Sequence, residues 1–160
     1  MSKSIEKGVE IFCETSCRGK ESFYCGILSF NGEVKRLFCL AEENVDHNLM
    51  EMKSMIHGFE ILKLELEEND IKGSCVDVYI SSQNIIKAFS EKWIDNWNKK
   101  NWINSKGKPV KYKEEWESIE ELVSVYSPRL IHSSKYKRKE NITIARKNAK
   151  RITRRLSKKV

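Results

Sequence analysis

VEIFCETSCRGKESFYCGILSFNGEVKRLFCL, Val9 to Leu40, contains three apolar, β-prone runs: Val9–Cys13, Phe23–Phe30 and Val34–Leu40. The last two are joined by Asn31-Gly32-Glu33, a hairpin turn signal, so three consecutive antiparallel strands are the simplest account. The period then changes. From about Asp46 to Leu66, Met52, Met55, Ile56, Phe59 and Leu62 recur at helical spacing, with Asp46 or Asn48 available as N-cap. Asn69–Ser74 (NDIKGS) breaks this helix, and Cys75–Ile80 reads as a fourth strand with Asp77 on one face. Two short helices are expected over about Ser82–Phe89 and Glu91–Lys99. After a loop, a helix over about Tyr112–Tyr126 buries Trp116, Ile119, Leu122 and Val123. Pro128 stops it, Leu130–Ile131 seeds a fifth strand, and a last helix runs over about Glu140–Leu156. Its inner face is expected to carry Ala145, Ala149, Ile152 and Leu156. The order βββαβαααβα defines a mixed α/β fold, a five-stranded sheet flanked by helices.

A chain of 160 residues is long enough to bury one core without disulfides or a structural metal. We expect a flexible lead-in over residues 1–8 and a single domain over 9–160. Lys and Arg number 30 against 23 Asp and Glu, for a formal net charge of +7. The excess is uneven: Arg146 to Lys159 carries eight cations and no carboxylate. A helix face of one sign repels itself unless an anion offsets it, which favours a phosphate-facing surface. No apolar run approaches the roughly 20 residues of a membrane span, and the start MSKSIEKGVE lacks the apolar stretch of a signal peptide. An intracellular, for example cytoplasmic, protein with no membrane partner is the expectation. Cys13, Cys17, Cys25, Cys39 and Cys75 are odd in number and form no CxxC pair, so they read as buried, reduced thiols.

The element order and several words resemble type 1 ribonuclease H over nearly the whole chain. EKWIDNWNKKNWINSKGKPVKYKEEW, Glu91–Trp116, resembles the basic protrusion of bacterial members and holds all four tryptophans, Trp93, Trp97, Trp102 and Trp116. The resemblance implies a protein built to cleave RNA in RNA/DNA hybrids with two divalent metals held by four carboxylates. Half of that acidic set is missing. In Phe12-Cys13-Glu14-Thr15-Ser16-Cys17, Glu14 replaces the family's first Asp, and the second acid is retained as Glu51. Ser81, in Tyr79-Ile80-Ser81-Ser82-Gln83, stands where the third Asp is expected. The fourth position falls on Ile142, or on Thr143 if the register slips by one. His132 matches a loop histidine associated with product release.

Two hard cations need several carboxylate oxygens to offset their repulsion, and two glutamates do not supply them. Asp77 cannot substitute, being four residues and about 13 Å along the strand from Ser81. No cofactor is firmly implied: Mg²⁺ or Mn²⁺ would bind at Glu14 and Glu51 only if the remnant site is active. Arg146, one turn beyond Ile142 on the same face, is expected to pair with Glu14 or Glu51 in place of an ion. The resemblance also places Ser16, Arg18, Lys20, Asn48 and Gln83 at positions that hold nucleic acid. In the protrusion, Lys99, Lys100, Lys106, Lys108 and Lys111 are interleaved with aromatics, and Trp93 stands either as a base platform or as a packing residue. His47 beside Glu51 reads as a surface or capping residue.

Three functions stay open. The first is a pseudoenzyme that binds RNA/DNA hybrid or duplex; the second is an active nuclease with a rearranged site; the third is a protein-interaction module on an inactive fold. Charge favours the first, since a purely structural module has little need of a cationic helix.

Overall fold

The computed structural model describes residues 8–68 and 75–157; for Arg18, Ala149 and residues 152–157 it describes the backbone alone. The elements run in the expected order. β1 (Gly8–Arg18), β2 (Glu21–Phe30) and β3 (Glu33–Glu43) are followed by α1 (His47–Glu68), β4 (Cys75–Ile80), α2 (Gln83–Ser90) and α3 (Trp93–Lys99). Then come α4 (Lys113–Tyr126), β5 (Arg129–His132), a single 3-10 turn at Ser133–Lys135 and α5 (Lys139–Ser157). The lead-in drawn over residues 1–8 lies, except for Gly8, outside the described residues; Gly8 already belongs to β1.

The five strands form one sheet in the order β3-β2-β1-β4-β5. β1, β2 and β3 pair antiparallel, while β4 runs parallel to β1 and β5 parallel to β4. The β2–β3 connection is the turn that the Asn-Gly pair predicts, with Asn31 at φ 51° and Gly32 at φ 83°. Those positive angles match the right-handed twist of the flanking strands, which is why Asn-Gly is favoured there. Asp46 supplies the α1 cap: its Oδ1 accepts from the Leu49 N–H at 2.8 Å.

Alternation along β1 decides where the site lies. Val9, Ile11 and Cys13 join the core beneath α1 and α4, with Met50, Met55, Phe59, Leu62, Trp116 and Ile119. Residues of the opposite parity face α5 and the segment leading into it: Glu10 meets Arg138, Phe12 stacks on Tyr136, and Glu14 meets Arg146 of α5. A smaller cluster forms there around Phe12, Phe23, Cys25, Ile27, Tyr136 and Ala145. The expected inner-face residues Ala149, Ile152 and Leu156 lie outside the described side chains.

The five cysteines are free thiols, but not all are buried as expected: Cys17 and Cys75 are exposed. Both sit at strand ends, beyond the layer that the helices cover.

Gly26 on β2 faces Phe38 on β3 closely enough that a Cβ there would penetrate the Phe38 ring. Phe38 is buried in the main core and has little room to yield. Gly26→Ala should therefore lower stability by about 2 kcal/mol, the usual scale of an overpacked core. An unchanged urea midpoint would contradict this packing.

Candidate functional site

A cleft of about 430 Å³ opens between the middle of β1, the end of β4, the turn after β5 and α5. Glu14, Ser81, His132, Ile142 and Arg146 all line it, together with Ser133, Ser134, Tyr136 and Lys139. Four of the five sequence-predicted catalytic positions thus meet in one place, and Glu51 lies against it through Ser81. Thr143, the alternative to Ile142, is exposed and donates its hydroxyl to the Lys139 carbonyl at 3.1 Å. The helix turns Ile142 into the cleft.

Glu51 is fully buried. Its Oε1 accepts from the Ser81 N–H, from the Ser82 N–H at 2.9 Å and from the Ser81 hydroxyl at 3.0 Å. The same hydroxyl lies 2.9 Å from Oε2, and His47 Nε2 lies 3.5 Å from that oxygen. A carboxylate in an apolar setting needs such donors. Ser81 therefore does more than omit a negative charge: it supplies a donor to the charge that remains. Ser82, in turn, caps α2 by accepting the Ile85 N–H at 3.2 Å.

Glu14 is taken by a cation. Arg146 Nε donates to Glu14 Oε1 at 3.1 Å, which settles the expected partner of Arg146 as Glu14 rather than Glu51. Asp77 is spent elsewhere, bound through both oxygens by Arg129 at 2.7 and 2.8 Å. Burial pushes the Cys13 thiol beneath the cleft up to about 12, so at neutral pH it is protonated. With Glu51 hydrogen-bonded, Glu14 ion-paired and Ser81 and Ile142 uncharged, this donor set does not fit two divalent cations. Among the described residues no group of three acidic, histidine or cysteine side chains is placed to hold a metal.

His132 ends β5 and accepts the Ser134 N–H at its Nδ1, 3.2 Å away, capping the 3-10 turn that forms one wall. His47 opens α1, with Nε2 3.3 Å from Thr15 Oγ1 and Nδ1 3.9 Å from Cys17 Sγ. It bridges α1 to β1 and does not cap.

The tryptophan-bearing excursion lies between α2 and α4. Trp97 contacts Trp93, Trp102 and Trp116, with ring centroids 6.3, 5.6 and 5.4 Å away. The Trp102 indole donates to Asn98 Oδ1 at 3.1 Å, and Lys113 Nζ lies over its ring. Trp93 is half-buried beside Trp97 and Lys100 around a second cavity of about 330 Å³. Lys99, Lys100, Lys106, Lys108 and Lys111 are all exposed, and among the described residues none is ion-paired. The excursion docks on the start of α1, where the Tyr112 hydroxyl donates to Asp46. Burial works against the Asp46 charge, but Tyr112, the Leu49 N–H and Lys111 together hold its carboxyl below the usual range. Lys20, Asn48 and Gln83 are exposed and Ser16 half-buried; the side chain of Arg18 lies outside the described residues.

Sequence reasoning missed Lys139, Ser133, Ser134 and Tyr136 as cleft residues. Lys139 had a legible signal, three residues before Ile142 and seven before Arg146 on one helical stripe. The serine walls had none, because a single 3-10 turn leaves no periodicity.

Three strands in antiparallel succession, two more parallel to β1, and helices on both faces define the ribonuclease H fold class. The solved structure of a foamy viral protease-reverse transcriptase in complex with dsDNA shares it, with TM-score 0.66 and 14% identity over 88% of this chain and 89% of that one. So does LC11-RNase H1 in complex with RNA/DNA hybrid, with TM-score 0.57 and 16% identity over 78% and 82%. In sequence, the family model described as RNase H matches residues 6–149. A ribonuclease H of Clostridium botulinum is 31% identical over 129 residues, which is 78% of this chain and 81% of the relative. The chain belongs to the ribonuclease H family. Among its described residues no helix is long and apolar enough to cross a membrane.

Proposed function

We propose that this chain is a single nucleic-acid-binding domain over residues 9–160 that holds RNA/DNA hybrid or duplex and no longer cleaves it. One observation carries the reading: both remaining acidic positions are already satisfied by protein, Glu51 by Ser81 and Ser82 and Glu14 by Arg146. Hybrid cleavage by two metals needs those oxygens free. Binding needs only shape and cations, because a nucleic-acid backbone is gripped through its phosphates. The exposed lysines 99, 100, 106, 108 and 111, interleaved with tryptophans along the sequence, supply such a surface, as does the basic end of α5. Membership of the family, and a fold neighbour solved on an RNA/DNA hybrid, support hybrid as the ligand.

The test is a gel assay with end-labelled RNA/DNA hybrid in Mg²⁺ or Mn²⁺, run beside Glu51→Ala. A retarded, uncut hybrid is the expected result. Metal-dependent cutting that disappears in Glu51→Ala would instead establish a working nuclease. Replacing Lys99, Lys100 and Lys106 together by Ala should weaken binding about tenfold at moderate salt and flatten its salt dependence. Affinity that does not respond to salt would point to a protein partner held by apolar contacts.

A further inference from the structure

Among the described residues the lining of the cleft carries more cations than carboxylates. Its lining contains one carboxylate, Glu14, against two cations, Lys139 and Arg146, while the other acid, Glu51, is buried behind Ser81. A family metal site presents a cluster of anions waiting for cations; this one presents a surplus of cations.

The two cations are held by one stripe of α5. Lys139, Ile142 and Arg146 stand at i, i+3 and i+7, so all three face the cleft across two helical turns. Arg146 touches Glu14 only through Nε, and that is its one hydrogen bond or ion pair among the described residues. Its terminal Nη groups therefore remain available, in the planar fork that matches two oxygens of a phosphate. Lys139 is exposed and makes no ion pair among the described residues. Ser133 and Ser134 complete the wall, the Ser134 hydroxyl lying 2.7 Å from His132 Nδ1. Glu14 serves here as an orienting group, holding the guanidinium by Nε and leaving its Nη groups without a protein partner among the described residues.

Resting on the reading that the chain binds nucleic acid, we propose that this cleft is a metal-independent seat for a backbone phosphodiester, gripped by Arg146 and Lys139 where the family pattern would place metal ions. An arginine fork and an ammonium offset a phosphodiester's single charge without any ion. Ile142 closes the floor where a carboxylate would repel the ligand. The seat fixes the position of the duplex on the protein without cleaving it.

The experiment measures the affinity of the full chain for a blunt RNA/DNA hybrid lacking terminal phosphates, in EDTA and in Mg²⁺, across a salt series. The wild-type protein should bind equally well in both, within about twofold. The double change Arg146→Ala with Lys139→Ala removes exposed side chains and should leave the melting temperature unaltered. It should weaken binding about tenfold or more and reduce the slope of log K against log salt by about two. Glu14→Gln keeps an oxygen for Nε and removes the anion, so its affinity should be equal to or tighter than the wild type's. Binding abolished by EDTA, or weakened in Glu14→Gln, would overturn the seat, as would a double variant with unaltered affinity and slope. A hybrid that binds only when 5′-phosphorylated would overturn the assignment to an internal phosphodiester. If the wild-type protein binds hybrid in neither buffer, the proposed function fails instead, and the two failures are thereby told apart.

Discussion

Glu51→Ala should destabilise this protein by about 3 kcal/mol, an effect opposite in sign to that expected at a metal site. In a cluster of carboxylates, each charge repels the others until cations arrive, and deleting one relieves strain in the metal-free protein. Here Glu51 is buried and accepts from two backbone N–H groups and one hydroxyl. Truncation would leave the buried Ser82 N–H and the part-buried Ser81 N–H without their acceptor, at about 1–3 kcal/mol for an unmet buried donor and less for one that water can reach. It would also open a space beside Met50 and Met55, and free the junction where β4 passes into α2. Glu51→Gln should cost less, about 1–2 kcal/mol, since its carbonyl oxygen still accepts while its amide nitrogen meets donors. Urea titration of both variants, in buffer containing EDTA, measures this. A Glu51→Ala protein as stable as the wild type, or more stable, would mean that Glu51 is a free ligand and not a structural acceptor.

The sheet was legible because its sequence alternates and its hairpin turn is chemically specified. Cys75–Ile80 was placed to the residue, since apolar residues and a following Ser-Ser-Gln bound it tightly. Strand β1 was read too short, ending at Cys13 rather than Arg18. Its second half is polar, yet Glu14 to Arg18 pairs residue by residue with Cys25 to Glu21. Ladder hydrogen bonds carry the strand beyond its apolar run, a tertiary effect that local composition does not contain. The cleft was half legible. Ser81, Ile142 and Arg146 could be placed by matching family words, and helical spacing predicted that Arg146 would approach an acid. What the substituted residues do instead was not legible: whether Ser81 leaves a void or gives its hydroxyl to Glu51 depends on the distance between β4 and α1. The cysteines show the same limit, since strand membership alone did not reveal that Cys17 and Cys75 lie at uncovered ends.

Restoring the acids should turn the cleft back into a cation site. Glu14→Asp, Ser81→Asp and Ile142→Asp together would set three carboxylates beside Glu51, two of them new, and so tip the cleft towards a surplus of anions. Without metal the variant should be less stable than the wild type, because an aspartate at 81 would face the buried Glu51 carboxylate where a hydroxyl now donates. Adding Mn²⁺ should recover that loss, since a ligand that binds only the folded state stabilises it by about 2.7 kcal/mol at one hundred times its Kd. The wild-type melting temperature should not respond to Mn²⁺. Trace Mn²⁺-dependent cutting of hybrid is expected of the triple variant, and less or none of the pair Glu14→Asp with Ser81→Asp, because Ile142 still occupies the fourth corner. Arg146 opposes the change by competing for the carboxylate at position 14, so adding Arg146→Ala should raise the Mn²⁺ response further. A triple variant whose melting temperature ignores Mn²⁺ would mean that these three positions do not converge on one cation, and the alignment of Ser81 and Ile142 with the family's acids would fall with it.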